Sequence, residues 1–447
     1  MTDAPNFGPD TDAVPNRPKT SLIAEDARTK GRNAAEKRFR FYGMAAIAVG
    51  LFFLVVLAVS IVRSGIPAFT QTVVNVEFTM TEADIETAEG MLFKTKMYAQ
   101  FLNTALTDQM NAKGLEVDVD EKAIQRILGK TGGIIREFYK GNPDQMGEPV
   151  AFELSASSRV DGYFKGRVTR EGFVDSRFLK LSDLDLVDSL AQAGVIQQAF
   201  NWNFITGADT GVDNPGGAGI GASLVGSFFM MLVVLVLSLP IGVAASIYLE
   251  EFAPKNRFTD IIEVNISNLA AVPSIVFGIL GLAVFIQFVQ LPQSAPLVGG
   301  LVLTLMTLPT IIISTRASLK AVPPSIRDAA LGVGASKMQA VFHHVLPLAA
   351  PGILTGTIIG LAQALGETAP LLLIGMVGFV ARGYPQGFIE GFTDPNSAMP
   401  AQIYTWAARA DVGFYEKAWG GIIVLLLFLL TMNIIAIILR RRFERRW

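Results

Sequence analysis

The chain has 447 residues, a formal net charge of −2 at pH 7 and no cysteine. Hydrophobic residues make up 51% of it and charged residues only 17%, which is unusual for a soluble protein of this length and typical of an integral membrane protein. Without cysteine, the sequence excludes a disulfide framework and a thiolate metal site.

Residues 1–40 are predicted to be a largely disordered, cytoplasmic tail with a basic end. Four prolines lie among polar residues in the first 18 positions, and such a composition buries little apolar surface. Between Arg28 and Arg40, six Lys or Arg residues stand against one Glu. An excess of Lys and Arg beside a membrane span is typical of its cytoplasmic side.

Six apolar runs predict six transmembrane helices, because a spanning helix needs about 20 mostly apolar residues. The runs are 41–62, 224–248, 266–287, 297–314, 349–380 and 422–439. The first is expected to be a retained anchor at 41–63, since its polar leader and apolar core are both long for a cleaved signal peptide. Pro351 and Pro370 predict that the fifth run is not one straight helix.

Residues 64–215 are predicted to form an extracytoplasmic α+β domain. The C-terminal "RRRFERRW" has five arginines against one Glu, so both termini are predicted to be cytoplasmic and this segment to lie outside. The segment has 14 Lys or Arg against 22 Asp or Glu. It contains no histidine and no metal-ligand spacing, so its carboxylates are interpreted as a solvated surface rather than a catalytic site.

Local patterns place strands and helices in this domain. The alternation of apolar and polar residues in "VVNVEFTM" and in "EPVAFELSAS" predicts two half-buried strands. Capping-box spacing predicts two helix starts, at Thr81-x-x-Asp84 and at Ser182-x-x-Asp185.

Residues 216–447 are predicted to be a five-helix membrane core, interrupted by the polar stretch "SIRDAALGVGASKMQAVFHHVLP" at 325–347. A connection that only joined two spans would need far fewer residues. Its small residues let another protein approach closely, and its charges can orient that protein. The chain has no G-x-x-x-x-G-K-[ST] sequence, so any ATP that drives it is expected to bind a partner.

The order of residues in this stretch resembles the EAA loop of ABC-importer permeases, E-A-A-x3-G-x9-I-x-L-P. The matching positions are Asp328, Ala329, Ala330, Gly334, His344, Leu346 and Pro347. In that family the loop forms coupling helices that dock on a cytoplasmic ATPase, which implies an ATPase-coupling loop at 322–347. Asp328 replaces Glu, and His344 replaces an isoleucine, which puts a local packing contact in doubt.

The adjacent histidines also raise the hypothesis of a pH sensor or a metal site. Two neighbouring side chains on a helix diverge, and no third ligand lies nearby in the sequence, so no metal site is predicted.

Three further stretches, "LPIGVAASIYLEEFAPKN", "AVPSIVFGILGLAVF" and "ALGETAPLLLIG", are similar to the PstA-type permeases of phosphate-specific ABC importers. "FNWNFITGAD" resembles the extended N-terminal region of a subset of that family. The resemblance implies an α-helical membrane protein of the type I ABC-importer permease fold, with six transmembrane helices and an inserted α+β domain. It implies phosphate import across the bacterial inner membrane, with no catalysis by this chain.

The same resemblance implies the partners. A cytoplasmic ABC ATPase dimer would bind ATP and Mg, a second related permease would complete the pathway, and an extracytoplasmic phosphate-binding protein would deliver the substrate. Membrane lipid surrounds the helices, no nucleic acid is expected, and this chain is expected to bind no cofactor itself. The inserted domain is expected to dock the binding protein or to cap the outer mouth.

Four residues are candidates for the substrate pathway: Arg316, Gln363, Glu367 and Thr368. A carboxylate such as Glu367 inside an apolar run is costly unless it faces a cavity or a partner, so it is either part of a polar gate or a structural group. Arg316 suits an anion's oxygens, although an anchor at the membrane interface is the alternative. Gln363 lies where arginine is expected in many relatives.

Three alternatives remain at this stage. Another oxyanion, such as sulfate or molybdate, is the alternative substrate. A membrane-anchored sensor or scaffold, with the outside domain as its functional part, is the alternative from a different class. A membrane-embedded enzyme is the third, but no histidine lies in the spans or the outside domain, and Glu367 has no evident catalytic partner.

Overall fold

The computed structural model describes residues 27–114, 121–128, 131–173, 179–211, 214–376 and 384–443. The chain separates into two compact units, Met1–Ser60 and Ile61–Trp447. Its first helix, α1 (Ala27–Gly65), contains the predicted first span. Residues 27–40 are helical, although composition assigned them to the tail, because this stretch has no proline and many Ala, Lys and Arg residues that favour helix. The remainder of the predicted tail lies outside the described residues.

The inserted domain is built on a three-stranded antiparallel sheet with the order β2-β1-β3. Its strands are β1 (Thr70–Phe78), β2 (Val150–Ser155) and β3 (Ile196–Phe200). The alternating side chains of Val74, Val76 and Phe78 on the central strand are buried. Both strands predicted from alternation are therefore confirmed, and β3 joins them on the free side of β1.

Helices cover the sheet and share one hydrophobic core with it. Among the described residues of this domain they are α2 (Glu82–Gly90), α3 (Lys94–Ala112), α4 (Glu121–Ile127), α5 (Gly132–Gly141), α6 (Ser158–Phe164) and α7 (Leu181–Gln192). Helix α8 (Trp202–Thr206) follows β3, and its Phe204 packs in a separate cluster with Trp406 and Phe414. Tyr98 and Leu102 of α3, Ile135 of α5 and Leu184 of α7 are fully buried together with the strand residues. The domain thus has its own apolar core.

The two predicted helix starts have different outcomes. At Thr81 the box is present, because the hydroxyl accepts from the Asp84 amide and the Asp84 carboxylate accepts from the Thr81 amide. The predicted box at Ser182 is wrong by two residues. Helix α7 begins at Leu181, and the carboxylate of Asp183 accepts from the Lys180 amide at 2.8 Å. Tertiary contacts select Asp183, because Arg126 also binds that carboxylate.

The membrane core follows the inserted domain. Its described helices are α9 (Gly221–Ile247), α10 (Arg257–Ala270), α11 (Ser274–Gly281), α12 (Pro296–Lys320), α13 (Pro324–Gly332), α14 (Lys337–Ala340), α15 (Leu346–Gly366), α16 (Ala369–Leu373), α17 (Glu390–Thr393), α18 (Met399–Ala408) and α19 (Val412–Phe443). Small residues allow close packing, since a Cβ on Gly300 of α12 would lie 2.5 Å from the Cβ of Val233 on α9.

Within the described residues, five helices are long and apolar enough to cross a membrane, and a bent helix pair raises the number to six if it counts as one span. The bent pair replaces the predicted third span at 266–287. Arg257–Ala270 and Ser274–Phe288 meet at an angle of 99°. Pro273 lies at the break, where it cannot continue the hydrogen bonding of the first helix and disfavours the helical conformation of the residue before it.

The predicted fifth span at 349–380 is also shorter than expected. Helix α15 ends at Gly366, and the short helix α16 begins at Ala369 with Pro370 in its first turn. The prediction that proline interrupts this run is confirmed at Pro370, whereas Pro351 lies inside the intact helix α15. Gly375, with φ +87°, turns the chain after α16, and 377–380 lie outside the described residues.

Candidate functional site

The connection between α12 and α15 folds into two short helices, α13 and α14, joined by a tight turn. Gly334 in the turn has φ +89°, a conformation that favours glycine, and a Cβ there would meet no atom within 4 Å. Ser336 then starts α14 with a capping box, since its hydroxyl accepts from the Gln339 amide and the Gln339 side chain accepts from the Ser336 amide. A π-helical turn, Val341–Val345, leads into α15.

One side of this loop is buried against the ends of the membrane helices. Val341 and Val345 pack in a cluster with Ile247 of α9 and Leu319 of α12. Ala330 of α13 is also buried, although the motif's neighbouring Ala329 is exposed. The loop is thus fixed to the core through its apolar residues.

The opposite side of the loop is exposed and partly apolar. We call the following residues the docking face: Asp328, Ala329, Leu331, Val333, Met338 and Phe342. Val333 is the most exposed of its large apolar side chains, at 87%. An exposed group of apolar and small residues with a single carboxylate is typical of a protein interaction surface.

An arginine that sequence reasoning did not single out holds the loop in place. The guanidinium of Arg327 donates to both oxygens of Glu251, the shortest distance being 2.7 Å, and to the carbonyls of Leu319 and Val322 at 2.8 Å. Glu251 lies in a π-helical turn that ends the helix containing α9. We call this pair the loop joint. In the sequence, the two glutamates of "YLEEF" at the end of an apolar run are the feature that could have indicated an ion pair here.

The remaining motif positions lie where the loop enters α15. Leu346 and Pro347 are half-buried, and His344 is exposed. Because His344 is exposed to solvent, a polar imidazole in place of the motif's isoleucine removes no buried packing contact. His343 is also exposed, with Nδ1 3.2 Å from the Gln339 carbonyl. Within the described part of the chain, no three His, Cys, Asp or Glu residues are grouped as a metal site would require.

Arg316, the candidate cation for the pathway, is engaged by two carboxylates. Its Nη2 lies 2.6 Å from an oxygen of Glu263 on α10, and its Nε lies 3.4 Å from Glu250. Lys320 is 3.6 Å from the same Glu250. The alternative role of an anchor near the end of α12 accounts for these contacts, and an anion here would have to compete with both carboxylates.

Gln363, Glu367 and Thr368 lie at the end of α15 and in the break that follows it. Gln363 is exposed, and Glu367 and Thr368 are half-buried. Backbone hydrogen bonds run from the Glu367 amide to the Ala364 carbonyl and from the Leu372 amide to the Thr368 carbonyl. Glu367 therefore lies at a helix break rather than within a helix, and it has no ion pair among the described residues. Arg316 is not among its contacts.

A second charged cluster, not foreseen from the sequence, connects the inserted domain to α19. Lys165 Nζ lies 2.8 Å from Asp161 and 2.8 Å from Glu416, and it also donates to the Thr70 carbonyl at 2.7 Å. Arg167 contacts the same two carboxylates at 2.8 Å. We call these four residues the domain joint.

A neighbouring pair links the chain just before α9 to the turn between α18 and α19. Arg409 lies 2.6 Å from Asp209, and the Trp406 indole donates to that carboxylate at 2.8 Å. Asp209 belongs to the "FNWNFITGAD" stretch, so that stretch has a structural role in this chain.

Comparison with known proteins places this arrangement in a family. Residues 238–447 match the model described as binding-protein-dependent transport system inner membrane component, and residues 26–172 match a domain of unknown function, DUF3333. A probable ABC transporter permease of Bacillus subtilis, YqgI, is 30% identical over 251 residues, which cover 54% of this chain and 83% of the relative.

Two phosphate transport system permease proteins named PstA are also similar. The Haemophilus influenzae protein is 30% identical over 212 residues, covering 47% of this chain and 72% of the relative. The Mycobacterium leprae protein is 27% identical over 307 residues, covering 68% and 98%. The inward-facing methionine ABC transporter MetNI aligns at 17% identity with a TM-score of 0.37, covering 51% of this chain and 95% of the other; the family assignment rests on the sequence matches.

The membrane helices and the exposed two-helix loop define a multi-pass membrane permease. The chain belongs to the binding-protein-dependent ABC-transporter permeases, in the group that includes the PstA proteins. The predicted family and the predicted helical permease fold are confirmed, and the sensor or scaffold interpretation is set aside. The DUF3333 match lies in the N-terminal extension that the sequence associated with a subset of the family.

Proposed function

We propose that this chain is the transmembrane subunit through which an ABC importer moves inorganic phosphate into the cytoplasm. The observation that carries the substrate is the similarity to several proteins named as phosphate transport system permeases, over up to 98% of their length. Family membership supports the role as a transporter subunit. The proposal that the substrate is phosphate rests on the names of these relatives.

The proposed coupling uses the docking face. A cytoplasmic ABC ATPase dimer, which binds ATP and Mg, contacts the exposed residues of α13 and α14 and moves them when it closes. The loop joint and the buried valines pass this displacement to α9, α12 and α15, because packed side chains move together. ATP hydrolysis takes place in the partner, and this subunit contributes the pathway.

The proposed topology has both termini in the cytoplasm and the inserted domain outside. A second, related permease completes the pathway, and an extracytoplasmic phosphate-binding protein delivers the anion. Charge asymmetry of the sequence supports this orientation, since the inserted segment is acidic and the ends are basic. Glu367 and Thr368, in the break after α15, are proposed as part of the gate, with Gln363 one turn earlier.

ATP-dependent uptake of labelled phosphate into vesicles that hold the complete complex tests the coupling proposal. Gly334→Trp forces a large side chain and an unfavourable backbone conformation into the turn, so we expect ATP-coupled uptake to be lost while the complex still assembles. Gly114→Trp is the matched control, because Gly114 is also open to solvent with φ +73° but lies in the inserted domain. Undiminished uptake with Gly334→Trp would contradict the proposed coupling role.

The gate is tested in the same assay with Glu367→Gln. Removal of the charge is expected to lower the uptake rate by about tenfold or more. This is the effect of losing one hydrogen bond that the charged carboxylate forms as the gate opens or closes. Glu153→Gln, on an exposed position of β2, removes the same charge elsewhere. Equal uptake by the two variants would show that Glu367 has no part in the path.

The alternative substrate is another oxyanion. Competition with sulfate and molybdate distinguishes the two, because a phosphate importer takes up labelled phosphate in their excess. If sulfate or molybdate enters and phosphate does not, the permease assignment stands and the substrate assignment is wrong.

A further inference from the structure

An apolar groove with a volume of about 250 Å³ lies between α9, α15 and α19. Leu239, Leu354, Leu361, Ala436 and Leu439 are among its lining residues. Its lining has two polar side chains: Asn433, and Thr357, whose hydroxyl donates to the Ile353 carbonyl of its own helix. The groove therefore offers few polar groups to an oxyanion and suits a hydrocarbon chain.

A cation lies beside the end of this groove. Arg440 follows the lining residue Leu439, and its Nη1 donates to the hydroxyl oxygen of Thr355, which follows the lining residue Leu354, at 3.1 Å. Its Nε is buried and has no hydrogen-bond partner among the described residues. In the same part of the chain no carboxylate pairs with Arg440. Within the described residues, the charge of this guanidinium is therefore not neutralised by a carboxylate, and a partly buried cation of this kind favours an anionic partner.

The positions of the groove and the guanidinium match the two parts of a lipid. All three helices are candidate membrane spans, and Arg440 lies in the last turns of α19. Arginines near the ends of spanning helices reach the headgroup region, and basic pockets between such helices bind anionic headgroups. We propose that the groove holds an acyl chain of an anionic phospholipid whose phosphate is bound by the guanidinium of Arg440.

This lipid site does not depend on the transported substrate. α15 begins at the coupling loop and α19 runs antiparallel to it, so the headgroup is bound in the half of the membrane nearer that loop. The bound lipid supplies a negative charge beside the partly exposed guanidinium of Arg440 and fills the space between α15 and α19. With such a site, the packing of α15 against α19 depends on whether the membrane contains anionic phospholipid.

The headgroup contact is tested by native mass spectrometry of the complete complex released from nanodiscs of phosphatidylglycerol or phosphatidylcholine. We expect retained phosphatidylglycerol and no comparable retention of phosphatidylcholine. Arg440→Gln should weaken retention about fivefold, the contribution of one Lys or Arg at an anionic surface. Arg441→Gln is the matched control, since it removes an adjacent, exposed charge and should retain the lipid. Equal losses in both variants, or equal retention of both lipids, would overturn the proposal.

The groove is tested separately. Ala436→Trp fills it and should abolish retention, while Ile434→Trp places the same side chain on an exposed position of α19 and should not. A photoreactive residue at Leu361 should then cross-link to lipid. Cross-linking to the second permease instead would show that a protein helix occupies the groove and would also overturn the proposal.

Discussion

The loop of α13 and α14 and the inserted domain are both joined to the membrane core by ion pairs, but the domain joint contains the more deeply buried ion pair. In the loop joint the side chains of Arg327 and Glu251 are 22% and 7% exposed. In the domain joint those of Lys165 and Glu416 are both 5% exposed, those of Asp161 and Arg167 are 13% and 19% exposed, and each basic group contacts two carboxylates. Charges shielded from water depend strongly on their partners, so the comparison predicts a rigid domain joint and a more adjustable loop joint.

The largest effect is expected from Glu416→Gln. The substitution leaves Lys165 and Arg167 with Asp161 as their shared carboxylate in a largely buried site. Loss of one partner from a buried charged cluster costs about 3–5 kcal/mol of free energy of unfolding. We expect a large decrease in Tm of the purified complex, measured by thermal unfolding in nanodiscs.

Asp185→Asn provides the control for that measurement. Asp185 pairs with Arg170 on the surface of the inserted domain, where the side chains are 66% and 46% exposed. An exposed pair contributes about 0–1 kcal/mol, so Tm should change little. A Glu416→Gln complex as stable as the Asp185→Asn complex would mean that the domain joint contributes little to stability.

A smaller effect is expected from Arg327→Lys in the loop joint. A lysine keeps the charge but cannot make the forked contact with Glu251 while also reaching the carbonyls of Leu319 and Val322. Loss of hydrogen bonds to a charged group costs about 1.5–3 kcal/mol. The ratio of phosphate taken up to ATP hydrolysed should fall, with the complex still assembled.

Lys320→Gln is the control in this region, because Lys320 is 59% exposed and lies 3.6 Å from Glu250. Its ratio of uptake to hydrolysis should equal that of the native complex. If Arg327→Lys behaves in the same way, the loop is held by its apolar contacts and the loop joint is not needed for coupling.

The smallest effect is expected from Glu89→Gln, in a partly exposed ion-pair cluster within the domain, where Glu89, Arg136 and Lys94 are 25%, 27% and 44% exposed. Hydrogen bonds from Arg136, which has the larger effect, and from Lys94 lower the pKa of Glu89 from 4.5 to about 2. A lowered pKa in the folded state means that the stabilisation is complete above pH 4.5 and is lost as the pH falls towards about 2. The small difference in Tm between native and variant complexes should therefore shrink to zero over this range. A difference that stays constant with pH would contradict the assignment.

Elements with a local signal were predictable from the sequence. The alternation in β1 and β2 fixed which side chains face the domain core, because the side chains of a strand alternate between its two faces. The long apolar runs predicted the spans, since their composition alone satisfies the requirement of a lipid environment. The breaks at Pro273 and before Pro370 were harder to place, because a proline such as Pro351 can also lie inside an intact helix.

Contacts between distant residues were not predictable. Lys165 and Glu416 are separated by 251 positions and Arg327 and Glu251 by 76, and single charges in a sequence carry no sign of their partners. Arg316 was a candidate for anion binding on the basis of its chemistry, but the structure pairs it with Glu263 and Glu250. The roles of Gln363, Glu367 and Thr368 in the path remain predictions.

The sequence by itself indicated a membrane protein with a separate α+β domain, and its spaced motif carried the resemblance to ABC-importer permeases, because hydropathy, periodicity and motif spacing are all local properties. Tertiary structure alone decided which charges are paired, which loop residues form the docking face, and where a cation is left beside an apolar groove. These depend on the approach of segments far apart in the chain, and the energy of a charge is set by the water and partners that this approach removes or supplies.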